Sequence, residues 1–186
     1  MKKDITKDLI MAPMPVLIIG TYDENGVPNA MNAAWGTQCD MSSITIFLSK
    51  HKTTDNLQIK KAFTVAFATK NTLKESDYFG VESGRNINKI EKVGFHAVKS
   101  EHVDAPVITE YPVTLECEMI DLADDGGEYR LIGRVVNVIA DESVLTENGK
   151  VDLGKLQAIS YDSALHAYRV IGEVVGAAFH DGLSLK

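Results

Sequence analysis

Short enzyme signatures are absent from this sequence of 186 residues. It contains no G-x-G-x-x-G, no G-x-x-x-x-G-K-[ST], no G-x-S-x-G and no H-E-x-x-H. Those motifs hold dinucleotides or phosphates, place a nucleophilic serine or bind catalytic zinc. Nothing therefore indicates a Rossmann dinucleotide site, a phosphoryl-transfer enzyme, a serine hydrolase or a zinc protease. We also expect no metal site, because the following histidines lack the spacing of ligands: His96, His102, His166 and His180.

Cysteine, positive charge and long apolar runs are also scarce. Cys39 and Cys117 have neither C-x-x-C spacing nor the number that a disulfide framework needs, so both are predicted to be reduced structural thiols. The formal net charge of −7 argues against a nucleic-acid surface and against adhesion to anionic membranes, and it favours a small-molecule ligand. The longest apolar run, around Val16 to Gly20, is too short to cross a bilayer, and acidic residues interrupt any N-terminal signal. The sequence therefore predicts a cytoplasmic protein that forms one domain over residues 1–186.

Hydrophobic patterning predicts strands in the first half of the chain. Residues 16–31 read as a hairpin that turns at Asn25-Gly26, because this dipeptide favours the positive φ angles of a tight turn. Further strands are expected at residues 43–49 and 63–69, which are rich in β-branched and aromatic side chains. Residues 1–15 are predicted to be a lead-in that contains a short amphipathic piece. The apolar residues of that piece are Ile5, Leu9 and Ile10.

Three short helices are expected between or after these strands. The first runs from about residue 54 to residue 61, and Asp55 with Gln58 has the spacing of a capping box. Thr72 and Glu75 form another such pair before the second helix. The second and third helices are predicted over residues 73–80 and 84–95.

The second half of the chain is predicted to be mostly strand. Residues 113–122 and 129–141 alternate apolar and polar side chains, and the Asp-Asp-Gly-Gly run at 124–127 provides the turn between them. Residues 149–171 are undecided between extended chain and loop, and the tail at 173–179 is expected to be strand or helix. About six or seven strands, many joined by hairpins, indicate a mostly-β, α+β fold built on a small antiparallel barrel.

The stretch from Pro28 to Asn56 is the strongest candidate for a binding site. It begins with small residues around Trp35, so a planar ligand can lie close to the backbone beside an aromatic wall. It ends with hydroxyl groups and Lys52 where a helix is predicted to begin, and these groups suit a phosphate. The residues alone also allow a second interpretation, in which Trp35 is a buried core residue and Lys52 is a solvated lysine beside an ordinary helix cap. The small residues are Ala30, Ala33, Ala34 and Gly36.

The chain resembles the flavin reductase-like, FMN-binding split-barrel family, and in particular its flavoredoxin-like branch. The resemblance begins in the PNAM stretch with its small-residue loop and tryptophan, and it covers nearly the whole chain. It implies an FMN-binding split barrel, a tightly bound FMN and a homodimer with the flavin near the subunit interface. Its other motifs are FTVAFAT (63–69), GRNINKIEKVGF (84–95), YRLIGRVVNV (129–138) and YRVIGEVVGAAF (168–179).

The resemblance and the side-chain chemistry together give a set of candidate flavin contacts. Amide and hydroxyl side chains of the loop would orient the ring, and the basic segment after it would hold the phosphate. By the resemblance, Lys89 is expected near the phosphate of the flavin, with Arg85 and Asn86 close to it. The alternative is that these residues form a basic helix face exposed to solvent. A late cluster of Tyr161, His166, Tyr168 and Arg169 is a candidate contribution from the partner chain. The cofactor-binding candidates are Asn32, Ala34, Trp35, Gly36, Thr37, Gln38, Ser49, His51, Lys52, Thr53, Thr54 and Lys89.

One departure from the family bears on the electron donor. Many flavin reductases of this superfamily carry a histidine before the glycine of the strand that matches YRLIGRVV, near the nicotinamide. Glu128, Tyr129 and Arg130 occupy that neighbourhood here. The expected function is an FMN-binding oxidoreductase that passes electrons from NAD(P)H to a flavin, a protein or a small acceptor. The alternatives are a flavoredoxin-type electron carrier, with a redox partner protein and no NAD(P)H oxidation of its own, and a non-redox binding module on the same barrel.

Overall fold

The computed structural model describes residues 1–4 and 10–186, and the predicted amphipathic piece of the lead-in falls largely outside the described residues. Strands dominate the described part, and its helices are short. The strands are β1 (Met14–Pro15), β2 (Leu17–Tyr22), β3 (Pro28–Ala33), β4 (Gly36–Gln38), β5 (Ser43–Ser49), β6 (Ala62–Phe67), β7 (Ala97–Lys99), β8 (Pro106–Ile108), β9 (Val113–Asp124), β10 (Glu128–Ala140), β11 (Ile159–Asp162) and β12 (Ala167–Val170). The α-helices are α1 (Lys52–Lys60), α2 (Leu73–Val81), α3 (Lys89–Lys92) and α4 (Leu153–Leu156), and 3-10 helices span Glu142–Val144 and Asp181–Leu185.

A curled antiparallel sheet of seven strands forms the body of the molecule. Its strand order is β3-β2-β6-β9-β10-β5-β4. The two edge strands, β3 and β4, are neighbours in sequence and are joined by Ala34 and Trp35, so the sheet curls until its edges approach each other. The Phe47 N–H donates to the Trp35 carbonyl at 2.8 Å and ties this link to β5. The predicted mostly-β split barrel is confirmed.

Strand β2 is buried on both faces, which explains its unbroken apolar sequence. Alternate side chains of a strand point to opposite faces of its sheet. Leu17 and Ile19 pack into the barrel core, whereas Ile18 packs into a second core on the other face. That second core also contains Phe79 of α2 and Ile90 of α3. The helices are therefore held against the outside of the barrel, beside the edge strand β3.

Most predicted strands and turns are confirmed. The first hairpin turns at Asn25-Gly26, and Gly26 has φ 78°, which is the left-handed conformation that favours glycine. Strand β5 has the predicted bounds, and β9 pairs with β10 in the predicted long hairpin. Residues 149–171, undecided from sequence, contain α4 and the β11–β12 hairpin. This hairpin pairs with β1 in a separate three-stranded sheet.

The helix caps differ from the predicted ones. Helix α1 begins at Lys52, earlier than predicted, because Thr54 makes the capping contact: the His51 N–H donates to its Oγ1 at 3.0 Å. The expected capping box of Asp55 with Gln58 is therefore wrong. Thr72 does precede α2, but its hydroxyl accepts from the Thr69 N–H at 3.0 Å and makes no capping bond to the helix.

The tail at 173–179 is neither strand nor helix, so that prediction is wrong. Val174 and Val175 are almost fully exposed. An extended segment needs a partner strand and a helix needs a surface on which to bury its apolar face, and this segment finds neither within the described residues. In the ranges 1–4 and 10–186, no helix is long and apolar enough to span a membrane.

Candidate functional site

Two adjoining pockets lie beside the split between β3 and β4. The larger one, here called the open pocket, has a volume of about 480 Å³ and lies between β3, β5, α2 and the β11–β12 hairpin. The smaller one, the inner pocket, has a volume of about 60 Å³ and lies between β3, the N-terminus of α1 and α3. The two share part of their lining, so they form one continuous recess. The shared residues are Met31, Asn32, His51 and Gly80.

Aromatic and apolar side chains dominate the open pocket. Trp35 and Phe47 line one side and are 62% and 48% exposed, so a face of this pocket is open to solvent. Tyr161 and Tyr168 of the β11–β12 hairpin line it as well, with their ring centroids 6.1 Å apart. Asn32 is fixed at the inner end, where its Nδ2 donates to the Ser76 carbonyl at 2.8 Å. Wide, flat and mostly apolar walls of this kind suit a planar ligand.

Tyr168 is a fixed hydrogen-bond donor in the open pocket. Its Oη donates to Asp77 Oδ1 at 2.7 Å. Burial, and then the adjacent Asp77 carboxylate, raise the pKa of Tyr168 to about 12. The phenol therefore stays protonated at neutral pH, with its proton committed to Asp77.

Lys89 gives the inner pocket a buried positive charge. It is only 4% exposed, and its Nζ donates to the Phe79 carbonyl at 2.7 Å. Burial lowers its pKa to about 8, with a small opposing effect from Glu82. Because the hydrogen-bond partner is a neutral carbonyl, the ammonium keeps its charge available to an anion. A buried cation facing a small polar recess fits a phosphate group.

The N-terminus of α1 forms the opposite wall of the inner pocket. His51, Lys52 and Thr53 line it there, and the first amides of a helix have no partner within the helix. Thr53 is held by Asn29, whose Nδ2 donates to its Oγ1 at 2.9 Å. Lys52 lies 3.6 Å from Asp23, measured from Nζ to Oδ2, and keeps an exposed edge. Two lysines and a helix N-terminus therefore converge on one recess.

Some lining residues of the inner pocket were not predicted from the sequence. Asn29 was not among the predicted contacts, although it lies in the PNAM stretch and that motif could have pointed to it. The loop Glu82–Gly84 closes the pocket so tightly that a Cβ on Gly84 would overlap Asn29 Oδ1. Glu82 and Ser83 carry no pattern that indicates a site, whereas Gly84 begins the GRNINKIEKVGF motif. Arg85 and Asn86, which follow it, bind Asp55 and Glu82 instead.

The predicted cofactor contacts fall in three different places in the structure. Most lie around the open and inner pockets: Asn32, Ala34, Trp35, Ser49, His51, Lys52, Thr53 and Lys89. Gly36, Thr37 and Gln38 instead line a third cavity, of about 500 Å³, at the mouth of the barrel. Thr54 lines neither pocket, because its buried hydroxyl bonds to the backbone of His51.

The late aromatic cluster lines the pocket of its own chain. Tyr161, His166 and Tyr168 all contribute to the open pocket. Arg169 does not, because its Nε donates to Asp162 Oδ2 at 2.6 Å outside the pocket. The cluster was expected as a contribution from a partner chain, and the β11–β12 hairpin supplies it within one chain. Among residues 1–4 and 10–186, no group of three or more His, Cys, Asp or Glu side chains is arranged to hold a metal.

Comparison with known proteins identifies the family. The family model for the flavin reductase like domain matches residues 11–161. The chain belongs to the flavin reductase-like family. The flavoredoxin of Desulfovibrio vulgaris (Miyazaki F) is 32% identical, with a TM-score of 0.93 over 98% of this chain and 100% of that one. A flavoredoxin from Methanosarcina acetivorans is 26% identical, with a TM-score of 0.91 over 100% of each chain. A relative from Archaeoglobus fulgidus is 29% identical over 144 residues, which cover 75% of this chain and 76% of its own.

The recess fits the cofactor that gives this flavin reductase-like family its name. A flavin mononucleotide joins a flat three-ring system to a terminal phosphate through a flexible polyol. The open pocket offers flat apolar walls, and the inner pocket offers cationic and hydroxyl groups, with shared polar residues between them. Family membership and the chemistry of the lining residues therefore agree on a flavin.

Proposed function

We propose that this protein is an FMN-binding oxidoreductase that passes electrons from NAD(P)H through FMN to a flavin, a protein or a small acceptor. The observation that carries the proposal is the buried Lys89 ammonium in a small polar pocket that opens into a larger aromatic one. A cation this deeply buried is costly unless an anion binds to it. An FMN molecule with its phosphate at Lys89 and its ring in the open pocket would occupy both pockets.

The residues divide the work of holding FMN. Lys89, Lys52, Thr53 and the first amides of α1 bind the phosphate. Asn32 and His51, which line both pockets, would contact the polyol. Trp35 and the walls around it take the ring and leave one face open. When bound, FMN supplies the capacity to accept and return a hydride, and the chain orients the reactants and excludes water from one side.

An electron carrier without NAD(P)H oxidation of its own is the second candidate. Two observations favour it: two of the similar solved structures described above are flavoredoxins, and Glu128, Tyr129 and Arg130 occupy the neighbourhood in which many reductases of the superfamily carry a histidine. Glu128 is engaged at the pocket rim, because Ser49 Oγ donates to its carboxylate at 3.0 Å. A carboxylate there is a poor neighbour for the phosphates of a nicotinamide dinucleotide, since like charges repel.

An absorbance spectrum separates the candidates. The protein is loaded with FMN, freed of excess ligand and mixed anaerobically with NADH or NADPH. Flavin bands that bleach within seconds support the reductase. Bands that persist until dithionite is added support the carrier and count against the reductase. No retained flavin after FMN is supplied overturns both, and leaves a non-redox binding module on this barrel.

We also propose that the protein is a cytoplasmic homodimer. The exposed apolar side chains support the dimer: Ile120, Val136 and Val138 lie on the β9–β10 ribbon, and Val175 and Phe179 lie in the tail. Exposed apolar groups on one ribbon and one tail favour burial against a second copy. Sedimentation equilibrium tests this directly, and a monomer at micromolar concentration would contradict it. Locating a fluorescent fusion in the native host tests the compartment.

A further inference from the structure

The β11–β12 hairpin presents a phenol and an imidazole to the open pocket as a hydrogen-bonded pair. Tyr161 Oη and His166 Nδ1 are 3.0 Å apart, and both side chains line the pocket. His166 is exposed, so its ring can exchange protons with solvent, whereas Tyr161 is half-buried. Flavin binding does not require this pair, because holding a ring and a phosphate needs no group that transfers protons.

The turn that carries His166 is built to hold it in place. Asp162 Oδ1 accepts from the Ala164 and Leu165 N–H groups at 3.2 Å, and its Oδ2 accepts from Arg169 Nε at 2.6 Å. The hydrogen bond from Arg169 is the main cause of the lowered pKa of Asp162. His166 itself has φ 48°, a left-handed conformation that few residues other than glycine adopt. Strain of this kind is often found at functional sites.

The neighbouring Tyr168 shows what distinguishes Tyr161. Tyr168 donates to a carboxylate, and its raised pKa keeps that proton in place. Tyr161 is bonded to an imidazole, whose two ring nitrogens can accept a proton at one side and donate one at the other. The two phenols lie side by side in one pocket, yet only Tyr161 is connected to a group that can replace its proton from solvent.

We propose that the Tyr161–His166 pair protonates a flat conjugated carbonyl compound of the quinone class when that compound is reduced in the open pocket. The inference rests on the proposed function, which supplies the electrons. The walls favour such an acceptor because Phe47, on the same side of the pocket as Trp35, offers exposed aromatic surface to a neutral planar molecule. A quinone also needs a proton on oxygen as it is reduced, which is what a phenol can donate.

Bound reduced flavin would supply a hydride equivalent, two electrons and one proton, to the quinone and would itself become oxidised. One quinone oxygen takes the proton of the Tyr161 O–H, so the products are the hydroquinone and a tyrosinate. His166 returns a proton from Nδ1 to Tyr161 while its Nε2 takes up a proton from solvent, so the net proton comes from solvent. Tyr161 is thus the catalytic acid that touches the acceptor, and His166 acts through it.

The test follows the oxidation of the FMN-loaded protein, reduced with stoichiometric dithionite, by tetramethyl-1,4-benzoquinone. This quinone has no free ring carbon, so the exposed thiol of Cys39 cannot add to it. Tyr161→Phe is expected to slow oxidation about 100-fold and to abolish its solvent deuterium isotope effect, as expected for loss of a general acid. His166→Asn, which tolerates a positive φ, is expected to slow it about 10-fold. Tyr22→Phe and His96→Asn are the matched controls outside both pockets.

Two further readouts separate a proton relay from a structural role. Added imidazole is expected to restore the rate of His166→Gly, which a packing defect would not allow. The oxidised, FMN-loaded Tyr161→Phe protein is expected to bind the quinone about fivefold more weakly in a flavin difference spectrum, from the loss of one hydrogen bond. Oxidation at the parental rate and isotope effect in Tyr161→Phe would overturn the inference while FMN binding stands. Failure of the parent protein to hold FMN would instead overturn the proposed function.

Discussion

The inner and open pockets share four residues but are built on opposite principles. The inner pocket is small and enclosed, and its polar groups are already fixed: Lys89 by Phe79, Thr53 by Asn29 and the loop at Gly84 by contact with Asn29. The open pocket is about eight times larger, at 480 Å³ against 60 Å³, and its aromatic side chains reach solvent. The inner end of the recess is therefore preorganised for the phosphate of a permanent occupant, whereas the open end leaves one face of the ring accessible to exchanging reactants.

Preorganisation explains why the two ends differ. A binding group that is already in place loses little conformational freedom when a ligand arrives, so its contacts contribute more to affinity. A redox cofactor needs such an anchor, whereas its electron donor and acceptor must enter and leave in turn. We therefore expect changes in the inner pocket to affect FMN affinity strongly and changes in the open pocket to affect it weakly.

The largest effect is expected from Lys89→Met, which keeps the length of the side chain and removes the ammonium. A hydrogen bond to a charged group contributes about 1.5–3 kcal/mol, so FMN affinity should fall about 10- to 150-fold. Titration of the apoprotein with FMN, followed by quenching of flavin fluorescence, measures this. Lys92→Met, on the same helix and exposed, is the control. An unchanged affinity in Lys89→Met would place the phosphate elsewhere.

The pH dependence of FMN binding sharpens the same contrast. Burial lowers the pKa of Lys89 from 10.5 to about 8, and a phosphate binds only the charged form tightly. FMN affinity should therefore be constant near pH 7 and fall up to about tenfold per pH unit above pH 8. The stability of the apoprotein should change in the opposite direction. Between pH 8 and 10.5 the unfolded chain holds a proton that the folded chain has lost, so stability rises with pH.

Lys89→Met provides the control for both pH trends, since each depends on this one amine. Dissociation constants and urea midpoints measured from pH 7 to pH 10 test them together. Retention of either pH trend in Lys89→Met would assign that trend to another group.

A smaller effect is expected from Lys52→Ala at the exposed edge of the inner pocket. Its side chain is 26% accessible and already has Asp23 as a partner, so solvent screens its charge. An interaction of this kind contributes up to about 1 kcal/mol, which corresponds to a loss of about fivefold in FMN affinity. Lys60→Ala removes the same charge at the other end of the helix and should leave affinity unchanged. Equal affinities for the two variants would remove Lys52 from the phosphate site.

The smallest effect is expected from Trp35→Phe in the open pocket. The change keeps an aromatic face and reduces only exposed area, so FMN affinity should change by less than about twofold. The same fluorescence titration measures it. A loss of more than tenfold in FMN affinity would contradict this expectation, because it would show that the ring end, and not the phosphate end, anchors the cofactor.

Local sequence patterns succeeded where neighbouring residues alone decide the structure. The Asn25-Gly26 turn and the bounds of β5 follow from turn chemistry and side-chain alternation, and both are confirmed. The cap of α1 was mispredicted because two pairs of residues had suitable spacing and the backbone used His51 with Thr54. The small and polar residues of β4 do not show, from the sequence, which face of this strand lines which cavity. A shift of one residue exchanges the two faces of a strand.

The fold class, the family and the charged and aromatic residue types available for a flavin can all be predicted from the sequence. Those properties depend on periodicity, turn residues and motif order, which are local. Three features could be seen only in the tertiary structure. Lys89 and the N-terminus of α1 line one pocket, and the loop Glu82–Gly84 closes that pocket. Tyr161 and His166 line the same pocket as Trp35 within one chain. Residues far apart in sequence meet there because the curled sheet and its packed helices bring them together, and no local pattern encodes that meeting.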